Sequence, residues 1–197
     1  MPIQRIHRHG LRQDPRAVAT AAVGLTAGLA AMFWSLLWTG PAAAAEPLQP
    51  VDGTPVAAGF ELIATDGETY RLQDLRGKTL IVNFWATWCP PCLAEMPSLQ
   101  RAWEQVRDEE ILVLAINVGE DQAAIERFTE RMPLTFPLPM DPDSGTVQAW
   151  PVRGLPTTFV VDPDGRLIYR AEGERDWDAP ELLQQVRAIA ADASGPQ

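Results

Sequence analysis

Cys89 and Cys92 are the only cysteines in this 197-residue chain, and Pro90 and Pro91 separate them. An apolar, β-branched run, Leu80-Ile81-Val82-Asn83-Phe84, precedes them, and a helix-like segment follows. Two thiols at this spacing, where a strand turns into a helix, form a disulfide that opens and closes without large backbone movement. That geometry suits electron exchange with other disulfides. A purely structural crosslink is disfavoured, because a bridge closing so short a loop restrains the unfolded chain little.

At the start of a helix, the Cys89 sulfur would face unsatisfied backbone N–H groups and the positive end of the helix dipole. Both favour thiolate over thiol and make Cys89 the attacking sulfur. Cys92, one turn deeper, is then the resolving thiol that breaks a mixed disulfide. Pro90 and Pro91 suit a first helical turn, where their missing N–H groups would be unpaired anyway. They also withdraw two donors from the thiolate, which makes the disulfide less oxidising.

The two histidines, His7 and His9, lie in the basic N-terminal segment. A Cys–His protease would therefore lack its base. A c-type haem attachment needs His after the second cysteine, where Leu93 stands. A zinc site would have two thiolates and only carboxylates to complete it. No metal site is expected, and the working domain must handle protons without imidazole.

Strands and helices alternate around this motif. Residues 60–63 and 69–72 flank Asp66-Gly67, a hairpin signal. Residues 79–85 and 111–118 read as buried strands. Residues 92–107 follow a helical period, with Leu93, Met96, Leu99 and Trp103 on one face. Residues 121–132 form an amphipathic helix with Ile125 and Phe128 inward, then a Pro-rich loop runs to Gly145 and a short helix covers 146–150. Residues 157–162 and 166–169 form a second hairpin around Pro163-Asp164-Gly165. Asp178-Ala179-Pro180-Glu181 opens a terminal helix. The pattern is α/β, a sandwich with a mixed sheet.

The run Asn83 to Cys92, then Glu95-Met96-Pro97, resembles the active-site segment of thioredoxin-fold proteins, above all the exported TlpA/ResA/DsbE-type thiol:disulfide oxidoreductases. Gly154-Leu155-Pro156-Thr157-Thr158-Phe159 is similar to a second loop of that family. The resemblance runs from about Val56 to the terminal helix. It implies a thioredoxin-like sandwich, a mixed central β-sheet flanked by helices, with an N-terminal β-hairpin extension. It implies a cis Leu155-Pro156 bond facing the cysteines, and a substrate groove formed by Trp88, Pro90, Pro91, Leu155 and Pro156. Pro156 also offers no N–H near the sulfurs. The family places a thiol-tuning Glu where Glu95 stands, whereas its cytoplasmic thioredoxin relatives carry a buried Asp where this chain has Asn83, which cannot titrate.

The family further implies a protein-disulfide reductase whose partners are protein disulfides, such as apocytochrome c or a copper-site protein, with a membrane protein as electron donor. No cofactor is expected beyond the redox-active Cys89–Cys92 disulfide. Three alternatives stand beside this reading: a disulfide-introducing oxidase, a thiol peroxidase, and a copper(I) carrier binding through both thiolates. Trp88 directly before Cys89 and the paired Cys92 oppose the peroxidase.

Trp85, Trp150 and Trp177 read as packing residues, and Met96, Met132 and Met140 as gap fillers rather than copper ligands. Asp141, Asp143, Asp162 and Asp164 read as turn residues.

The first 45 residues carry four arginines and one acid, followed by an almost uncharged run from Ala17 to Trp38 and small residues up to Ala45. This reads as a signal peptide or an N-terminal membrane anchor. It places the rest outside the cytoplasm, periplasmic or extracytoplasmic, either soluble after cleavage or anchored to the inner membrane. Residues 46–55 read as a Pro-rich linker and 56–197 as the thioredoxin-like domain. Beyond residue 45 the chain carries 12 bases and 25 acids, a net charge of −13. That excess disfavours nucleic acid as a partner.

Overall fold

A computed structural model describes residues 46–193. The signal-or-anchor segment, 1–45, lies outside the described residues. Among the described residues no helix is long and apolar enough to cross a membrane.

Among the described residues, eight strands and four α-helices follow in the order β1 (Gln49–Pro50), β2 (Glu61–Ile63), β3 (Thr69–Arg71), β4 (Thr79–Trp85), α1 (Pro90–Val106), β5 (Ile111–Val118), α2 (Gln122–Thr129), β6 (Met140–Asp141), α3 (Gly145–Ala149), β7 (Thr157–Val161), β8 (Leu167–Glu172) and α4 (Pro180–Ala193). A 3-10 turn, Leu72–Leu75, links β3 to β4. The main sheet has the order β1-β8-β7-β4-β5-β6. β4 is its centre, parallel to β5 and antiparallel to β7. All seven β4 residues are buried, as a strand covered on both faces requires.

Alternation along β4 divides the core into two halves. Ile81 and Trp85 point with Val113, Ala115 and Val160 toward α1, Ile125 of α2 and Leu182, Leu183 and Val186 of α4. Leu80, Val82 and Phe84 point the other way, toward Phe60, Leu72, Trp150 and Phe159. Asn83 lies on the α1 side by the same alternation, a polar residue among apolar neighbours.

The second half is built on aromatic rings. Trp150 packs edge-on against Phe84 and Phe159, with centroids 5.3 and 5.4 Å apart, and its Nε1 donates to Ala58 O at 3.0 Å. Trp150→Ala is expected to cost about 3–5 kcal/mol, since it opens a cavity and strands that carbonyl. Urea denaturation checks this, and a loss below about 1 kcal/mol would contradict the packing described.

The β2–β3 hairpin forms a separate two-stranded sheet. Gly67, at φ 85°, closes its turn, with Gly67 N–H donating to Ala64 O; a side chain would be strained there. The hairpin is anchored by an isolated bridge from Ala64 to Pro139.

Three expectations are corrected. Residues 46–55 are not a free linker. Gln49 and Pro50 pair with Arg170 and Tyr169 of β8, and Leu48 is buried. Pro50 fits because an edge strand leaves one side without ladder bonds. The Pro-rich loop after α2 contains β6, which extends the parallel ladder by two residues; so short a strand leaves no period to read. Finally, β8 runs to Glu172, beyond the expected 169, because Phe159, Thr158 and Thr157 of β7 pair with Arg170, Ala171 and Glu172.

Candidate active site

β4 ends at Trp85, and a turn from Ala86 to Cys89 leads into α1, with Cys89 N–H donating to Ala86 O at 3.2 Å. Cys89 is the N-cap of α1, and Pro90 and Pro91 fill its first two positions. An N-cap side chain accepts from the second or third helical N–H. The prolines remove the first two N–H groups, and Leu93 N–H is taken by Cys89 O at 3.2 Å. The Cys92 N–H is therefore the one donor of the first turn left to serve a Cys89 thiolate.

The two sulfurs form a disulfide, with Cα atoms 5.3 Å apart. Cys89 is 4% exposed and Cys92 fully enclosed, while the neighbouring Trp88 is 66% exposed. The indole and the exposed Pro90 and Pro91 thus form the outer surface around Cys89. The Leu155-Pro156 bond is cis. Pro156 O accepts from Gly173 N–H at 2.9 Å, which ties this loop to the end of β8. Among the described residues, the Leu155 backbone N–H and C=O make no hydrogen bond, which leaves a backbone edge free to pair.

Glu95, three residues and about one helical turn beyond Cys92, is only 1% exposed. Its carboxylate is held on both oxygens: Asn83 Nδ2 donates to Oε1 at 2.7 Å, while Trp177 Nε1 and Arg175 N–H each donate to Oε2 at 3.1 Å. Burial pushes its pKa up to about 7; the bonds from Trp177, Asn83 and Arg175 oppose that rise, and nearby Glu174 adds slightly to it. Desolvation outweighs the donors. The carboxyl thus changes charge near neutrality.

The cage is assembled from three distant stretches. Asn83 comes from the centre of β4, and its Nδ2 also donates to Thr158 Oγ1 of β7 at 2.8 Å. Arg175 and Trp177 come from the β8–α4 loop, which Ser98 of α1 pins: its hydroxyl donates to Arg175 O and accepts from Trp177 N–H. From the sequence, Trp177 reads as a packing residue. Its ring is buried, but its N–H serves Glu95, and no local signal marks a loop residue 82 positions away as that partner. Trp85, Trp150 and Met96 are buried as expected. Asp141 caps α3 through Thr146 and Val147 N–H, and Asp162 bonds Arg166 N–H in its turn.

Comparison with known proteins matches this geometry. A family model, the AhpC/TSA family, covers residues 54–170. The chain is 40% identical over 119 residues to the thiol-disulfide oxidoreductase ResA of Geobacillus kaustophilus strain HTA426, covering 58% of this chain and 68% of that protein. Among solved structures it is similar to the exposed lipoprotein thioredoxin of Streptococcus pneumoniae strain TIGR4, with a TM-score of 0.60 and 30% identity over 67% of this chain and all of the other. It is also similar to a thioredoxin-family thiol:disulfide interchange protein of Chlorobium tepidum TLS, with a TM-score of 0.61 and 25% identity over 72% of this chain and 97% of the other. With a cysteine pair at a helix start, a cis-proline loop beside it and these relatives, the chain belongs to the AhpC/TSA family, among its thioredoxin-fold thiol:disulfide oxidoreductases.

Proposed function

We propose that this oxidoreductase works outside the cytoplasm as a reductant of protein disulfides. The observation that carries the direction is the pair of prolines at the first two positions of α1. A disulfide is strongly oxidising when its reduced form is stabilised. Here the helix end offers the Cys89 thiolate one backbone donor instead of three, so the reduced form gains less and gives up its electrons more readily.

In the reduced protein, the Cys89 thiolate attacks one sulfur of a client disulfide. A mixed disulfide forms, and the other client sulfur leaves as a thiolate that takes a proton from water. Cys92 then loses its proton, and its sulfur attacks the Cys89 sulfur. This closes the Cys89–Cys92 disulfide and releases the second client thiolate. Two electrons pass from the dithiol to the client. Glu95, one helical turn from Cys92 and half-ionised near pH 7, takes up the role of acceptor for the Cys92 proton in a site without imidazole. A buried carboxyl with a pKa near the working pH suits general-base duty.

The client lies across Trp88 and pairs its backbone with Leu155, alongside Pro156, Pro90 and Pro91. Pairing with a free edge is a common way to hold an extended segment. Apocytochrome c and copper-site proteins fit as clients because both need free thiols before loading. A membrane protein then recharges the dithiol. The segment 1–45 exports the domain, 56–197, or anchors it. No bound cofactor enters the cycle.

Equilibration with dithiol redox buffers tests the direction. The expected potential lies nearer that of thioredoxin, about −270 mV, than the roughly −120 mV of a strong disulfide-introducing oxidase. A value near the latter would reverse the reading.

A further inference from the structure

The carboxylate of Glu120 lies at the turn between β5 and α2, outside the cysteine motif and the Glu95 cage. One oxygen accepts from Thr87 N–H at 2.6 Å and from Asn117 Nδ2 at 2.8 Å. The other accepts from Thr87 Oγ1 at 2.5 Å. Asn117 is fully buried at the end of β5, which pairs along the whole of β4. Gly119, at φ 73°, makes the bend that brings the following residue round, with its N–H donating to Asp141 O at 2.9 Å. The carboxylate is therefore fixed from the rigid centre of the sheet.

Its target is the turn that carries the chemistry. Ala86 to Cys89 is closed by a single backbone bond. Within it, Thr87 is held by Glu120 through both its N–H and its hydroxyl, and the next residue, Trp88, projects into solvent. An exposed indole without such a hold would sample many orientations, and a client would have to freeze them on binding.

We infer that Glu120 is a positioning residue for client docking: by gripping Thr87 on two atoms, it fixes the turn that presents Trp88 beside Cys89. The inference rests on the reading of Trp88 as a client contact.

A glutamine at 120 can keep all three bonds. Its carbonyl oxygen can accept from Thr87 N–H and Asn117, and its amide can donate to the Thr87 hydroxyl. Glu120→Gln should therefore behave nearly as the native protein and Glu120→Ala should fail; Thr87→Val, which loses the hydroxyl bond but keeps the amide bond to Glu120, should fall between them, and Thr87→Ser should stay near native.

The experiment compares these variants in the reduction of insulin disulfides and of oxidised glutathione, a flexible disulfide that brings no apolar side chain to pack on the indole. The expected result for Glu120→Ala is a KM for insulin raised about tenfold, with kcat and the glutathione rate within about twofold of native. The Glu120→Ala/Thr87→Val double variant should be no worse than Glu120→Ala alone, because the hydroxyl bond that Thr87→Val removes is already lost without the carboxylate. Equal loss on both substrates, additive losses, or a glutamine variant as poor as the alanine one would overturn the inference.

A second measurement does not depend on turnover. Hydrogen exchange at the Thr87 amide should quicken at least about tenfold in Glu120→Ala and stay near native in Glu120→Gln. Unchanged exchange in Glu120→Ala overturns the clamp, whatever the activity. A native protein unable to reduce insulin, with the exchange result as expected, would count against the reductase reading and leave the clamp standing.

Discussion

Cys92→Ala is expected to capture the client as a stable covalent adduct on Cys89, while Cys89→Ala captures nothing. The asymmetry follows from placement. Cys89 caps α1 and keeps a trace of exposure, with Trp88 open beside it, whereas Cys92 is sealed inside the helix and the core. A client sulfur approaching from solvent meets Cys89 first. Without Cys92 nothing lies within reach to expel the client, so the mixed disulfide persists. Either substitution should lower turnover of a protein disulfide by at least about a thousandfold, because the two sulfurs act as one unit. Separation on non-reducing gels, followed by mass spectrometry of the linked peptide, reads the result. An adduct on Cys92 in the Cys89→Ala protein, with none in the reverse variant, contradicts the assignment of roles. The captured protein also identifies the client class.

Glu95→Gln is expected to change both catalysis and the pH dependence of stability. In catalysis, the native kcat should rise with pH through about 7, as Glu95 ionises and becomes able to take the Cys92 proton. The variant should lose that limb and fall roughly a hundredfold at neutral pH, a usual worth for a general base.

In stability, an unfolded Glu ionises near 4.5, whereas the buried carboxyl holds its proton to about 7. Between those values the folded protein binds more protons than the unfolded chain, so stability falls as pH rises through the window. The shift corresponds to about 3 kcal/mol, fully retained below pH 4.5 and lost above about 7. Glutamine cannot ionise. The stability of Glu95→Gln relative to the native protein should therefore climb by about that amount between pH 4 and pH 8. Urea titrations at a series of pH values measure the difference directly, and a pH-independent difference would show that Glu95 does not titrate in the window.

The central elements were legible for physical reasons. β4 and β5 are long, β-branched and apolar on both sides, which leaves no competing reading, and the observed bounds match the expected ones. The helix after the cysteines begins at Pro90, two residues earlier than its apolar period suggests, because the prolines carry no periodic signal and yet are well suited to a first turn. The short pairings escaped. β1 and β6 have two residues each and are fixed by their neighbours in the sheet rather than by any pattern of their own.

The site divides in the same way. The pairing of Cys89 with Cys92 follows from their spacing, and the cis Leu155-Pro156 bond from the family resemblance of its loop. Glu95 could be named, but not its surroundings. Asn83 was read for what it lacks, a titrating group, and the fold uses it as a donor that holds the carboxylate. Trp177 and Glu120 reach the site only through the crossing of loops far apart in sequence. Polar bonds made across a fold leave no periodic trace in the chain that makes them.

Two thiols three residues apart divide the labour between them, and alkylation of the fully reduced protein across a range of pH measures that division most directly. Peptide mapping should find Cys89 modified first, with an apparent pKa below the roughly 8.5 of a free cysteine, and Cys92 resistant until the protein unfolds. Equal rates at the two positions, or earlier modification of Cys92, would contradict it.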